Sequence, residues 1–166
     1  MITQHTQHTQ QLMLTDELND RFHSIKNENE IKILLNEFPV SLISHLEFPT
    51  EENRIRQILL ESSHNQLVLM LWGKNSATPI HGHGGSDCYM KILYGEIFES
   101  LYHPFTTTIK TKKLVKQSEL TQIEDSTHFH KLVALRPAIS LHLYSNPLKF
   151  IQTFHPEKNS WENLEF

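Results

Sequence analysis

The chain has 166 residues, a formal net charge of −4 with neutral histidines, and a single cysteine. A chain of this length buries about two thirds of its unfolded surface without disulfides, and one cysteine excludes an internal disulfide. The charge balance provides no dense basic face, so nucleic acid and anionic lipid are not expected partners. The N-terminal region has no apolar run resembling a signal peptide or membrane span, so we expect a cytoplasmic protein. We also expect a small-molecule partner and a monomer.

The first part of the chain predicts a short helical segment behind a polar tail. Residues 1–12 repeat Thr, Gln and His without a hydrophobic face, which predicts disorder. From Thr15, a residue suited to an N-cap, apolar residues recur every three to four positions as far as Leu46. We therefore expect residues 13–166 to form one domain with a helical front piece at about 15–46.

After Pro49 the chain changes to short runs rich in β-branched and aromatic residues, separated by polar connections. Many short antiparallel strands predict a β-barrel or jelly roll. The predicted barrel spans about residues 53–155. Its predicted strands are 55–60, 66–72, 86–93, 96–102, 106–115, 120–123, 130–135, 138–144 and 150–154.

The most informative motif is residues 80–85, Ile-His-Gly-His-Gly-Gly, where two imidazoles lie one residue apart among glycines. Side chains at i and i+2 of an extended strand point to one face, so His81 and His83 can reach the same metal ion. All five glycines of the chain lie between residues 73 and 95. A hydrogen-bonded turn is the alternative, but the pattern favours half of a metal site.

A third ligand must come from a later strand. His130 follows the turn-like residues 124–127 and begins an apolar strand. His128 lies two residues earlier with the same parity, so spacing does not choose between the two. The remaining histidines are in the polar tail or isolated, and we expect them to have no ligand role. They are His5, His8, His23, His45, His64, His103 and His155.

The order of these motifs resembles the first motif of the small cupin barrels, which runs glycine, H-x-H, glutamate, glycine. Cys88 stands in the place of the glutamate, and this resembles the thiol dioxygenases of the cysteine dioxygenase type I family. The resemblance covers about residues 54–147 and implies a mainly β, cupin-type barrel. The residues that carry it are Trp72, Gly73, His81, His83, Cys88, Lys91, Gly95, Asp125, Ser126, His130 and residues 140–145.

The resemblance implies that His81, His83 and His130 hold Fe(II). It favours His130 over His128 because the family's ligand lies five residues after the aspartate, which here is Asp125. Three neutral imidazoles leave both charges of the ion uncompensated and three octahedral positions open, which suits a thiolate substrate and O₂.

The resemblance also implies roles for residues around the metal. Cys88 and Tyr144 match a pair joined by a thioether cross-link, and Arg56 matches the arginine that binds the substrate carboxylate. Ser140 and His142 match a relay to Tyr144, which is expected to contact the substrate; the catalytic set is Tyr144, Cys88 and His142. From the residues alone, positions 140, 142 and 144 share one face of a strand, and that face could equally be a polar outer face.

The implied activity is the oxidation of L-cysteine by O₂ to cysteine sulfinate. This reaction removes four electrons from sulfur and needs no outside reductant. The chain accordingly contains neither a Gly-rich dinucleotide fingerprint nor a P-loop. The alternatives are a dioxygenase of 3-mercaptopropionate or another small thiol, against which Cys88 and Arg56 argue, and a cupin that binds metal or ligand without turnover.

Two positions depart from the family pattern. Arg54 stands where an aromatic residue commonly lies two positions before Arg56, so either the strand register slips or the pocket gains a charge. Asn146 stands where many relatives have a cis proline, and proline is delayed to Pro147. We expect the local turn to differ there, because a cis bond before a residue other than proline costs about 2.5–4 kcal/mol.

Overall fold

The computed structural model describes residues 13–165, and the predicted polar tail at 1–12 lies outside the described residues. The described part is mainly β, with two antiparallel sheets preceded by two short helices. The prediction of a mainly β fold with a small N-terminal helical segment is confirmed. No helix among these residues is long and apolar enough to cross a membrane.

The helical segment consists of α1 (Asp16–His23), α2 (Glu28–Asn36) and a 3-10 helix (Val40–Ile43). The side chains of Thr15 and Asn27 accept hydrogen bonds from backbone amides in the first turns of α1 and α2. These caps pair amides that have no partner within the helix. The apolar sides of both helices pack against one of the two sheets.

That sheet, called sheet A, has five strands. They are β1 (Arg54–Glu61), β2 (Asn65–Trp72), β5 (Asp87–Tyr94), β8 (Leu120–Ile123) and β10 (Ala138–Ser145). Their order in the sheet is β1-β2-β10-β5-β8, with antiparallel neighbours. Strand β10 is therefore central, with β2 on one side and β5 on the other.

The second sheet, sheet B, has seven strands within the described range. They are β3 (Ser76–Ala77), β4 (His81–Gly82), β6 (Glu96–Tyr102), β7 (Ile109–Lys116), β9 (Phe129–Ala134), β11 (Phe150–His155) and β12 (Ser160–Glu165). Their order is β12-β11-β4-β9-β6-β7, and β3 pairs with β9. Strands β4 and β9 meet with His81 opposite His130.

Strands β2 and β10 of sheet A are buried on both faces. Leu141 and Leu143 of β10 pack with the helices on the outer side. The alternate residue Tyr144 packs with Met70 and with side chains of sheet B in the core between the sheets. The face of β10 that carries Ser140, His142 and Tyr144 is thus an interior face and not a polar outer one.

Two predicted boundaries were wrong. The strand predicted over 106–115 begins only at Ile109, because the Thr106 amide and hydroxyl both donate to the His103 carbonyl, at 3.2 and 2.9 Å, and close a turn. The β region also continues past residue 155, since β12 pairs with β11 along its whole length. The sequence of β12 has several Glu and Asn residues and lacks the apolar alternation that marks a strand.

Candidate metal centre

Three buried imidazoles converge between the sheets. The Nε2 atom of His130 lies 3.0 Å from Nε2 of His81 and 3.1 Å from Nε2 of His83. His81 is in β4, His130 is opposite it in β9, and His83 follows directly after β4. Among residues 13–165, these three form the one group of His, Cys, Asp or Glu side chains with ligand atoms close enough to hold a metal ion.

The glycines of the motif make this approach possible. A Cβ atom on Gly82 would lie 2.2 Å from a ring carbon of Phe129, so only glycine fits between the two histidines. Gly84 has a φ of 62°, in the left-handed region, and lets the chain turn directly after His83. The carboxylate of Asp125 then accepts the amides of His83 and Gly85, the latter at 2.7 Å.

His130 is oriented by a buried carboxylate. Its Nδ1 atom lies 3.1 Å from Oε1 of Glu99, whose side chain is fully buried. The other carboxylate oxygen accepts a hydrogen bond from Thr121 at 3.0 Å and forms an ion pair with Lys113 at 3.1 Å. Glu99 was not among the predicted site residues. One feature of the sequence could have indicated it: Glu99 is a charged residue two positions after the apolar Ile97, so both lie on the same face of the strand.

These contacts fix the tautomers of two rings. The Nδ1 atom of His81 lies 3.1 Å from the Pro79 carbonyl oxygen, as that of His130 does from Glu99. Both partners are acceptors, so both Nδ1 atoms carry the proton and both Nε2 atoms present a lone pair. Two lone pairs 3.0 Å apart repel one another unless a cation lies between them. The donor set therefore fits a transition-metal ion.

Burial also keeps the rings in the neutral form that binds metals. It lowers the pKa of His81 to about 4 and holds the pKa values of His83 and His130 well below their usual range. The Nδ1 atom of His83 has no hydrogen-bond partner among the described residues, and the nearest Asp125 oxygen is 3.9 Å away. All three imidazoles can therefore bind a metal ion without prior deprotonation.

His128 does not join the cluster. Its Nδ1 atom lies 2.7 Å from the Thr127 hydroxyl and its Nε2 atom 3.3 Å from Nζ of Lys110. The structure therefore brings His130, and not His128, to the other two histidines. Spacing alone left this choice open.

A cavity of about 430 Å³ opens onto the three imidazoles. Sheet A supplies much of its wall, while apolar side chains such as Leu148 and Ile151 contribute to the rest. Residues of sheet A that line it are Arg54, Arg56, Met70, Trp72, His142 and Tyr144.

Arg54 and Arg56 both reach the cavity from β1. Arg56 is half-buried and donates to Oε1 of Gln66 at 2.8 Å. Arg54 pairs with Trp72 in regular register, and the one irregularity of this strand pair comes later, after Ile58. Of the two alternatives expected at Arg54, the second is therefore observed: the register of β1 does not slip, and the Arg54 guanidinium adds a positive charge to the cavity.

A buried hydrogen-bonded chain crosses sheet A towards the cavity. Trp72 Nε1 donates to the Ser140 hydroxyl at 2.8 Å, and that hydroxyl lies 2.7 Å from Nε2 of His142. Nδ1 of His142 lies 3.8 Å from Sγ of Cys88. Burial lowers the pKa of His142 to about 3, so the ring is neutral and can both accept and donate.

Cys88 and Tyr144 are direct cross-strand neighbours of β5 and β10, and both side chains lie in the buried core between the sheets. The His142 ring stacks on that of Tyr144 with centroids 6.1 Å apart. The chain from Ser140 therefore reaches Tyr144 through the stacked His142 ring, and Cys88 lies next to both residues. Burial raises the pKa of both Cys88 and Tyr144 well above their usual values, so the thiol and the phenol are protonated.

The turn after β10 is closed by Asn146. Its φ is 74°, a left-handed conformation that asparagine tolerates. Its amide donates to the His64 carbonyl at 2.7 Å. The end of β10, with Tyr144, is thereby tied to the connection between β1 and β2.

Comparison with known proteins identifies the family. The family model described as "Cysteine dioxygenase type I" matches residues 45–157. The cysteine dioxygenase type 1 proteins of Danio rerio, Homo sapiens and Rattus norvegicus are 30%, 29% and 33% identical over 97, 96 and 98 residues. Each match covers 53% of this chain and 48% of the relative, so the chain spans about half the length of the curated relatives it matches.

Solved structures agree on the fold. A cupin superfamily protein from Desulfitobacterium hafniense gives a TM-score of 0.50 at 15% identity, over 65% of this chain and 87% of that one. An RmlC-like cupin from Desulfovibrio desulfuricans gives 0.50 at 15% identity, over 73% and 96%. The chain thus has the cupin fold, and the match to the family model over residues 45–157 shows that it belongs to the cysteine dioxygenase type I family.

Proposed function

We propose that the protein is a non-haem iron thiol dioxygenase that oxidises L-cysteine with O₂ to cysteine sulfinate. The observation that carries the proposal is the convergence of three neutral imidazoles, with Nε2 atoms 3.0 and 3.1 Å apart, on a cavity that also holds a guanidinium. The names of the curated relatives support it.

His81, His83 and His130 would hold ferrous iron through their Nε2 atoms. Three neutral ligands leave the charge of the ion to be balanced by the substrate thiolate. When bound, ferrous iron supplies neighbouring positions for a thiolate and O₂ and carries electrons between them. The pairing of Glu99 with His130 keeps one of these rings in the ligand tautomer.

The reaction balances without a reductant. A thiol and O₂ give a sulfinate and a proton: the S–H and O–O bonds break and two S–O bonds form. Sulfur loses four electrons and O₂ gains four. The chain therefore needs no binding site for a nicotinamide or flavin cofactor.

The side chains of sheet A would orient the substrate. The half-buried guanidinium of Arg56 is suited to bind a carboxylate through charge-assisted hydrogen bonds. Burial raises the pKa of the Tyr144 phenol, which therefore keeps its proton and can donate it to substrate in a hydrogen bond. Leu148 and Ile151 add apolar surface to the cavity wall.

We also propose that Cys88 and Tyr144 become joined by a thioether bond. Directly opposed residues of an antiparallel pair have Cβ atoms about 4.5–5.5 Å apart, and Cys88 and Tyr144 are such a pair within one buried cluster. Forming the S–C bond removes the thiol hydrogen and one ring hydrogen. O₂ takes up the two electrons and two protons as hydrogen peroxide.

A coupled assay tests the function. Iron-loaded protein with L-cysteine should consume one O₂ per thiol, measured with an oxygen electrode, and form cysteine sulfinate, measured by mass spectrometry. His130→Ala, treated in the same way, is the control. If the iron-loaded protein consumes no O₂ with any small thiol, it is a binding cupin without turnover, and the proposal is wrong.

The same assay decides the substrate. With 3-mercaptopropionate at equal concentration we expect slower O₂ uptake, because Arg56 and Cys88 are the residues that argued for L-cysteine. Faster oxidation of 3-mercaptopropionate would overturn the choice of substrate and leave the dioxygenase assignment intact.

We further propose that residues 13–166 act as one domain and that the protein is a cytoplasmic monomer. Its one thiol is buried and has no disulfide partner, which suits a reducing compartment. Sedimentation of the purified protein at the mass of a dimer would contradict the monomeric state.

A further inference from the structure

Two guanidinium groups line the cavity where one would suffice for a single carboxylate. Arg54 and Arg56 lie two positions apart on β1, so both side chains leave the same face of the strand. Arg54 donates from Nη1 to the Ala77 carbonyl at 2.7 Å. It forms no ion pair with a carboxylate within residues 13–165, which leaves its charge available to an anion in the cavity.

The cavity is positively charged on this side. Glu52 is the one carboxylate residue among its lining side chains, against the two arginines. Arg54 lines the same cavity as the three metal-binding rings. An anion beside Arg54 would therefore lie within the same cavity as the imidazoles.

The two arginines differ in depth. Arg56 is half-buried, whereas Arg54 is exposed at the rim and is held there by its bond to Ala77. Residues two apart on a strand have Cα atoms about 6.5 Å apart. Two carboxylates on neighbouring carbon atoms of one small molecule can contact both guanidinium groups across such a distance.

We propose that Arg54 and Arg56 bind two separate carboxylates of one substrate, so that the cavity takes small dicarboxylate thiols more tightly than monocarboxylate thiols. This inference rests on the proposed function, because it names a substrate class of the same site. Arg56 binds the inner carboxylate and Arg54 the outer one. Arg54 is thereby a specificity-determining residue, in a position where the family commonly has an aromatic side chain.

The test compares mercaptosuccinate with 3-mercaptopropionate, which differ by one carboxylate. Dissociation constants are measured by calorimetry on iron-loaded protein under anaerobic conditions, where binding occurs without turnover. We expect mercaptosuccinate to bind at least about tenfold more tightly, in keeping with one added charge-assisted contact.

Variants of Arg54 assign the difference. Arg54→Gln should weaken mercaptosuccinate binding about tenfold and change 3-mercaptopropionate binding less than about threefold. Arg54→Lys, which keeps the charge, should recover part of the loss. Arg136→Gln is the matched control, because it removes an exposed arginine that does not line the cavity and should leave the ratio unchanged.

Three results would overturn the inference. They are equal affinity of the wild-type protein for both thiols, an equal loss of affinity for both thiols in Arg54→Gln, and no recovery of mercaptosuccinate affinity in Arg54→Lys. An equal loss would mean that Arg54 only holds the Ala77 backbone in place. If L-cysteine is oxidised but mercaptosuccinate does not bind more tightly than 3-mercaptopropionate, the Arg54 assignment alone is wrong. If mercaptosuccinate binds more tightly as expected and no thiol is oxidised, the proposed dioxygenase activity is wrong.

Discussion

The two sheets contribute different kinds of groups to the same cavity. Sheet B supplies His81 and His130, together with the carboxylate of Glu99 that orients one of them. Sheet A supplies Arg56 and Tyr144, which face the space where a substrate would lie. In the proposed function, metal binding and substrate binding are therefore assigned to different sheets. A substitution in one sheet should affect one of these properties before the other.

The supporting contacts differ in kind as well. On sheet B, the fully buried Glu99 is stabilised by an ion pair with Lys113. On sheet A, the chain from Trp72 through Ser140 to His142 consists of neutral groups. Charged buried contacts are stronger and cost more to break than neutral ones. Sheet B should therefore give the larger mutational effects.

The largest expected effect is the loss of a metal ligand from sheet B. His130→Ala should lose bound iron and reduce O₂ uptake with L-cysteine to background, because two imidazoles remain. Iron content is measured by plasma emission spectrometry after gel filtration. His128 lies two residues away, where its ring contacts Thr127 and Lys110. The variant His128→Ala should therefore keep both the bound iron and the O₂ uptake. Equal loss in the two variants would contradict the assignment of His130.

Metal binding should also stabilise the fold. A ligand at 100 times its dissociation constant adds about 2.7 kcal/mol to the free energy of unfolding. Ferrous iron, added anaerobically, should raise the melting temperature of the wild-type protein, and a chelator should reverse the change. If iron does not raise the melting temperature of His130→Ala, the rise in the wild-type protein comes from binding at the three imidazoles. A rise of the same size in His130→Ala would show that iron binds elsewhere.

The next effect comes from the carboxylate behind His130. Glu99→Gln keeps the shape of the side chain but removes the charge that faces both Nδ1 and Lys113. Loss of such a partner lowers metal affinity about 10–100-fold. Competition with a chelator of known affinity measures this change. The control is Glu96→Gln, an exposed residue of the same strand, and comparable weakening in both variants would exclude a specific role for Glu99.

A substitution in sheet A should leave the metal in place. Cys88→Ser should retain iron content within error and lose O₂ uptake severalfold. It should also abolish the cross-linked species, whose intact mass lies below the sequence value by two hydrogen atoms. Intact-protein mass spectrometry before and after turnover checks this. An unchanged mass in the wild-type protein after many turnovers would remove the cross-link and leave the metal site unaffected.

The sequence predicted the groups with strong local signals and missed those defined by pairing. The H-x-H motif with its glycines identified His81 and His83 because two-residue periodicity and glycine use are local properties. Glu99 was missed because its role depends on β6 lying beside β9, and no spacing along the chain shows that neighbour. Strand β12 was missed because its stability comes from pairing with β11 and not from its own composition.

The choice between His128 and His130 illustrates the same limit. Both have the parity required by a strand, and only the pairing of β4 with β9 places His130 opposite His81. The family pattern selected the same residue from its distance to Asp125, whose carboxylate holds the His83 and Gly85 amides. That five-residue spacing depends on the turn between Asp125 and β9. The two-residue periodicity of a strand carries no information about this turn.

The smallest effect on the metal site should come from the neutral chain of sheet A. Ser140→Ala removes the acceptor of the Trp72 indole and the partner of His142, and it leaves two buried polar groups unpaired. Each such loss costs about 1–3 kcal/mol of the free energy of unfolding, measured by urea denaturation. Ser44→Ala, on the surface, should stay within about 0.5 kcal/mol of wild type. Iron affinity should be unchanged in Ser140→Ala. If it falls as far as in Glu99→Gln, the two sheets are not separable, because the chain through His142 would then stabilise the metal site as strongly as the carboxylate does.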